Sequence, residues 1–437
     1  MLLRLKVKNF LSFYEETTFD MFPNLKRTTF ENHIYRDMEI PLLKQAAIYG
    51  ANGSGKSNLL EVIKFIKLFA KENDFINGDD ISLNKFQLAG KINSEPISVS
   101  IEFFHKEIYF IYEVEINDNG IQKEELYQSG IGKKNNELIY SRHLDSITQA
   151  NTISEDLENS IRKYIKVNPL SSSFAIDSVF TFIKDERVKV AYDWFKDKIE
   201  VLSLRSVNPS IISLMSNNSD LLLFTNKLFT KIGLGIEKLE INEKSLNEIM
   251  LDDSDESNRI KKHILNRPKD RNVSLVDNDK VLYNIVDENG EDIVKRFAFK
   301  QLGIDGYLGN LEYGAQSDGT ARVLNLIPVL YEIVNNNCVF FIDEIENSIH
   351  PTLMIALLKF FSETNTKGQL IFTTHETELL NQKELMRPDE VWFTEKKNGN
   401  THLYSLNDFK EHNTLNIKNG YLEGRYGAIP FIGNLNE

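Results

Sequence analysis

GANGSGKS, residues 50–57, fits the pattern G-x-x-x-x-G-K-[ST] at every fixed position. An apolar segment, QAAIY at 45–49, leads into it, and an amphipathic stretch, NLLEVIKFIKLF at 58–69, follows. Strand, glycine loop, helix is the setting in which this pattern cradles phosphate. The glycines let the backbone curl so that successive N–H groups face phosphate oxygens. The start of the following helix adds its dipole. Asn52, Gly53, Ser54, Gly55, Lys56, Ser57 and Asn58 are therefore the expected nucleotide contacts. Lys56 has the reach for β- and γ-phosphates and the Ser57 hydroxyl is suited to Mg2+, so ATP and Mg2+ are the expected cofactors.

Upstream, MLLRLKVKNF (1–10) alternates apolar and basic residues. That is a strand with Leu3, Leu5 and Val7 on one face, and it lacks the continuous apolar run of a signal peptide. Downstream, ISVSIEFF, EIYFIYEVEI, a turn at Asp118–Gly120 and IQKEELY predict antiparallel hairpins over 97–141. Helical patterns follow around 154–167, 186–200 and 210–231, and an acidic-to-basic stretch, DDSDES then RIKKHILNRPKDR, comes after them.

From about residue 296 α/β alternation returns. CVFFID is an apolar strand, PTLMIALLKFFSE a helix, QLIFTT a strand, and EVWFTEK with THLYSL a closing pair. Three parts result: 1–150 and 296–437 as the two halves of one head, and 151–295 as an inserted, mainly helical arm with some β structure.

Val339-Phe340-Phe341-Ile342 ends in Asp343-Glu344. A buried parallel strand reads this way, with its C-terminal edge where ligands bind. Beside a phosphate loop, Asp343 is suited to hold Mg2+ directly or through water, and Glu344 to polarise the attacking water.

The chain has 437 residues, 41% apolar and 26% charged, with a net charge of −13. This is an ordinary globular composition. An acidic chain does not coat DNA with its whole surface, because phosphate contacts need clustered Lys and Arg. The single cysteine, Cys338, allows no intramolecular disulfide and fits a reducing, cytoplasmic setting. No run of about 18 apolar residues exists, so no membrane-spanning helix is expected.

The order of motifs resembles ABC-type ATPases of the SMC/RecF/OLD group, and within it the bacterial anti-phage ATPases of the RloA, AbiL and PARIS AriA kind. GANGSGKS (50–57), QSDGTAR (316–322), FFIDE (340–344), ENSIHP (346–351), TTHE (373–376) and the tail YLEGRYGAIP (421–430) carry the likeness. It covers roughly 1–145 and 296–437. It implies an α/β fold: a RecF/SMC-like P-loop head with an antiparallel β-subdomain and the inserted arm.

Ser317, Asp318 and Gly319 then stand in the signature element that faces ATP bound to a second copy, with Thr320 in place of the usual second glycine. The same letters also read as a plain serine helix cap. His375 matches the switch histidine, and Glu346–His350 the interface loop. Gln87 sits where a metal-contacting Q-loop residue would be, or is simply an exposed polar residue.

A homodimer or larger homo-oligomer follows from the resemblance. So does a separately encoded effector, of nuclease or RloB/Toprim-like type, with a phage or nucleic-acid trigger. The alternative is a DNA-repair or chromosome-associated ATPase that clamps DNA. An ATPase fused to its own nuclease is less favoured, since only 62 residues follow His375. In the tail, Tyr421, Arg425 and Tyr426 are residue types enriched at docking surfaces, or they pack on the closing strands.

Overall fold

The computed structural model describes residues 1–72, 78–90, 93–144, 146–149, 163, 166, 170, 185–203, 208–251, 257–258, 261–262, 273–277, 280–288, 290–381, 385–409 and 416–429. The helical pattern at 154–167, apart from 163 and 166, lies outside them. So do most of the acidic-to-basic stretch and Pro430. The chain divides into two units. The first holds Met1–Leu202, Ile333–Ile345 and Lys359–Glu437; the second holds Ser203–Glu332 and Glu346–Leu358.

Two sheets build the first unit. Strands β1 (Leu2–Lys8), β2 (Thr17–Asp20), β6 (Ile97–His105), β7 (Ile108–Asn117), β8 (Gly120–Gln128), β9 (Glu137–His143) and β10 (Ser146–Gln149) form an antiparallel sheet in the order β10-β9-β8-β7-β6-β1-β2. The alternation read in β1 is obeyed: Leu3, Leu5 and Val7 are buried. Arg4 and Lys8 reach Glu102 and Glu95 from the other face. A short pair, β3 (Ile34–Tyr35) and β4 (Leu42–Leu43), closes the loop before the phosphate motif.

The other sheet contains β5 (Gln45–Gly50), β11 (Ile199–Ser203), β17 (Val339–Asp343), β18 (Gln369–Thr373), β19 (Val391–Lys397) and β20 (Asn400–Ser405), in the order β11-β17-β18-β5-β19-β20. β17, β18, β5 and β19 run parallel, and β20 returns antiparallel. β17, β18 and β5 are apolar almost throughout because both faces of a parallel sheet are covered.

Helix α1 (Lys56–Lys71) buries Leu59, Leu60, Ile63 and Ile66 in a core shared by both sheets. A shorter helix, α2 (Gly78–Asn84), follows it. Helix α3 (Glu186–Asp197) falls inside the 151–295 segment, yet it lies in the first unit. Its Trp194 stacks on Phe103 of β6 at 4.2 Å between ring centroids.

The second unit contains α4 (Ile211–Ser216) and α5 (Ser219–Ile232), which meet the helical pattern read at 210–231. Its β content is an antiparallel sheet ordered β12-β15-β14-β13, from β12 (Ile236–Ser245), β13 (Val273–Asp277), β14 (Lys280–Glu288) and β15 (Glu291–Leu302). β16 (Leu308–Glu312) pairs with β15. β12, IEKLEINEKS, was illegible in sequence because it buries little more than Ile236 and Leu239. Asn226 of α5 fixes it by exchanging side-chain hydrogen bonds with the Leu239 backbone N–H and C=O. Two further helices complete the described chain's larger elements: α6 (Asp318–Asn335) and α7 (Pro351–Glu363). No helix among the described residues is long and apolar enough to cross a membrane.

Candidate nucleotide site

The phosphate loop leaves β5 at Gly50 and enters α1 at Lys56. Gly53 (φ +74°) and Gly55 (φ +111°) occupy backbone conformations that side chains disfavour. Close approach adds a second demand. A Cβ on Gly50 would stand 2.3 Å from Thr394 Oγ1, and one on Gly55 would stand 2.3 Å from Thr401 Oγ1. β19 and β20 thus press on the back of the loop. Ser54 Oγ bonds Thr394 Oγ1 at 2.6 Å, and the Thr401 hydroxyl donates to Ser54 O at 2.8 Å.

Lys56 is buried, and its ammonium donates to Gly50 O at 2.7 Å and Ala51 O at 3.1 Å. It therefore lies across the curl of the loop. Asn52, Gly53 and Ser57 are exposed. Asn58 behaves differently: its amide donates to Ser12 Oγ at 2.6 Å, which braces the base of the loop.

Asp343 ends β17 and Thr373 ends β18, so the parallel register sets both at the C-terminal edge of the sheet. The Ser57 hydroxyl donates to Asp343 Oδ2 at 3.0 Å. The Thr373 hydroxyl donates to Asp343 Oδ1 at 2.6 Å and lies 2.8 Å from the Glu344 N–H, which donates to it. Glu344 itself has φ +49°. For a non-glycine residue this conformation costs about 1 kcal/mol. The Thr373 bond is one of the contacts that hold it there.

His375 follows β18 and is exposed. Its neighbours are tied down: Thr374 N–H donates to Ile48 O of β5, and Glu376 N–H to Thr374 Oγ1. The structure thus brings residues 50–58, Asp343, Glu344, Thr373 and His375 to one edge of one sheet. Thr373, Thr394, Thr401 and Ser12 were not singled out from sequence. Only the TT of TTHE hinted at Thr373. The other three are loop-bracing hydroxyls from distant parts of the chain.

The signature residues belong to the second unit. Ser317 Oγ accepts from Thr320 N–H at 3.1 Å and bonds the Thr320 hydroxyl at 2.9 Å, so it caps α6. Ser317 and Asp318 are exposed, while Thr320 is buried. A Cβ on Gly319 would lie 3.2 Å from Ser348 O, so the interface-loop segment runs directly against this turn.

Gln87 is exposed, and its amide donates to Ser82 O and Lys85 O at the end of α2. In this structure the Gln87 amide nitrogen serves a local helix end. Of the two readings of the tail, packing on the closing strands is the one Tyr421 and Tyr426 follow. Tyr421 lies on α8 (Ile417–Leu422) and stacks on Phe393 at 5.5 Å; Tyr426 stacks on the same ring at 5.7 Å. Tyr404 of β20 donates to Tyr426 O at 2.6 Å. Both tyrosines are buried, because aromatic surface gains more against the closing strands than in water. Arg425 is exposed beside Glu423.

The residues present fit a Mg2+-nucleotide. A loop with two left-handed glycines, a lysine bridging its carbonyls and a hydroxyl–carboxylate pair supply the donor set that phosphate and a hard cation require.

Among solved structures, an SMC head bound to the C-winged helix domain of ScpA is similar at 14% identity and a TM-score of 0.45, over 92% of this chain and 97% of that one. The SMC head domain from Thermotoga maritima gives 14% identity and 0.44, over 92% and 98%. An SMC head with an extended coiled coil, bound to the C-terminal domain of ScpA derived from Pyrococcus furiosus, gives 13% and 0.41, over 97% and 98%. No curated protein matches the chain. The family model described as "AAA domain, putative AbiEii toxin, Type IV TA system" matches residues 46–381. The parallel sheet that carries the phosphate loop and the antiparallel sheet of the same unit make an α/β fold. With the family match spanning the loop, the acidic strand and His375, the chain belongs to the AAA domain family of putative AbiEii toxins.

Proposed function

We propose that the chain binds and hydrolyses ATP with Mg2+, and that it does so as an assembly of at least two copies. The observation that carries this is the Ser57–Asp343–Thr373–Glu344 chain of hydrogen bonds beside the phosphate loop. Lys56 and the loop N–H groups bind the β- and γ-phosphates. Ser57 and Asp343 hold Mg2+, which when bound neutralises phosphate charge. Glu344 takes the proton of the attacking water on its carboxylate, and His375 contacts the γ-phosphate. Ser317 and the start of α6 serve the nucleotide of a second copy, so the active unit is a homodimer or a larger homo-oligomer.

In this reading the ATPase is the sensor or scaffold of an anti-phage, abortive-infection system and restrains a separately encoded effector. The motif order supports this. The family's description, which names a putative toxin of a toxin–antitoxin system, also supports a defence role. The test is phage challenge with this gene alone, with its neighbouring gene, and with Lys56→Ala. Protection that needs both genes and Lys56 is expected, with co-purification of the two products. Protection or toxicity from this chain alone would overturn the two-component reading. Salt-sensitive DNA binding by the purified dimer, without any effect on infection, would favour a DNA-clamping ATPase instead.

A further inference from the structure

A cavity of about 370 Å³ opens at the opposite end of the parallel strands from the phosphate loop. Lys198 stands just before β11, Asn337 just before β17 and Lys367 just before β18, and all three line it. The β6–β7 turn closes one side with His105, Lys106 and Glu107. Each five-residue strand spans about 17 Å, so this cavity is separate from the nucleotide edge.

Three lysines and one glutamate line a cavity in a chain whose net charge is −13. Lys106 is paired with Asp193 at 3.0 Å. Among the described residues no carboxylate pairs with Lys198 or Lys367. Converging like charges raise the local potential and attract a counter-ion. His105 gives an independent sign. It is 7% exposed, and its Nε2 is buried without a hydrogen-bond partner. A buried polar atom left unpaired costs about 1–3 kcal/mol, which a bound acceptor would recover.

We propose that this cavity is a second anion site, which takes the phosphate group of a small molecule. Ammonium groups act as point charges with rotatable donors and suit the several oxygens of a phosphate. No arginine lines the cavity. Its volume exceeds that of one phosphate and lies in the range of small-molecule pockets, so the anion would carry an attached group. His105 Nε2–H and the Asn337 amide supply directional donors beside the lysines.

The test uses the full chain carrying Lys56→Ala, which disables the nucleotide loop and leaves this cavity intact. Calorimetry with inorganic pyrophosphate should show binding, and adding Lys198→Ser and Lys367→Ser should weaken it at least tenfold. The His105 ring resonances should shift on pyrophosphate addition in the first protein and not in the second. Absence of binding to the Lys56→Ala chain would overturn the proposal. So would unchanged binding after the lysine substitutions in a protein that keeps its circular dichroism and unfolding temperature. Citrate binding as tightly as pyrophosphate would overturn the assignment to phosphate.

Discussion

The Ser57 hydroxyl, in the first turn of α1, donates to Asp343 Oδ2 at the end of β17 across 3.0 Å. The two residues are 286 positions apart, and the contact joins the phosphate loop to the acidic strand. Asp343's second oxygen is held by Thr373 at 2.6 Å. The carboxylate is therefore held from two sides, which suits the cation-binding role proposed for it.

Removing the loop cation should remove nucleotide. Lys56→Ala deletes the ammonium that bridges Gly50 O and Ala51 O and would meet phosphate. ATP affinity, read by calorimetry with Mg2+, should fall by about 10²-fold or more, since charge-assisted bonds are the strong ones. Unchanged affinity would rule out the phosphate-loop assignment.

Glu344→Gln keeps the size and the backbone bond to Thr373 but loses the carboxylate proposed as the base. Turnover of ATP should drop at least ~10²-fold while binding persists. The variant should also accumulate as an ATP-bound dimer on size exclusion. Hydrolysis at the parental rate would show that the base is another residue.

Thr373→Val is nearly isosteric and deletes both the bond to Asp343 and the acceptor for Glu344 N–H. The Mg2+ concentration for half-maximal hydrolysis should rise about tenfold, the range seen when a ligand's support is lost. Thr373→Ser should restore it. Equal Mg2+ dependence in wild type and Thr373→Val would mean that Asp343 needs no such support.

Complementation tests assembly. Lys56→Ala subunits keep Ser317, and Ser317→Arg subunits keep the phosphate loop. Mixed together they should recover one composite site and a measurable fraction of wild-type hydrolysis, although each alone is inactive. A mixture that associates yet stays inactive would argue against completion in trans.

Acid should act on His105. Burial first, then the nearby positive charges of the Met1 amino group, Lys106 and Lys198, lower its pKa from 6.5 to about 4. Between those values the unfolded chain binds the extra proton, so stability falls as pH drops from about 6.5 to about 4. The slope attributable to this one group is at most about 1.4 kcal/mol per pH unit. His105→Gln should flatten the wild-type pH dependence of the unfolding temperature across that window. Identical pH profiles would contradict a neutral, buried His105.

Sequence alone determined the chemistry-bearing segments. GANGSGKS announces a phosphate loop because few backbones can curl this way without glycine, and VFFIDE reads as a buried strand because a parallel strand covered on both faces is apolar at successive positions. β1, the 97–128 hairpins and α1 were equally legible, since each has one clear period and one buried face. Tertiary structure decided what periodicity does not encode. Thr394 and Thr401, which brace the loop, lie 340 and 347 positions from Ser54, and Thr373, which aims Asp343, comes from the neighbouring strand 30 positions on; only the sheet order brings them there. The fate of Tyr421 and Tyr426 depended on whether Phe393 and Tyr404 offered them a surface. The cluster of Lys198, Lys367 and His105 exists because strands begin side by side. Charges far apart in sequence share one cavity only after the chain has folded.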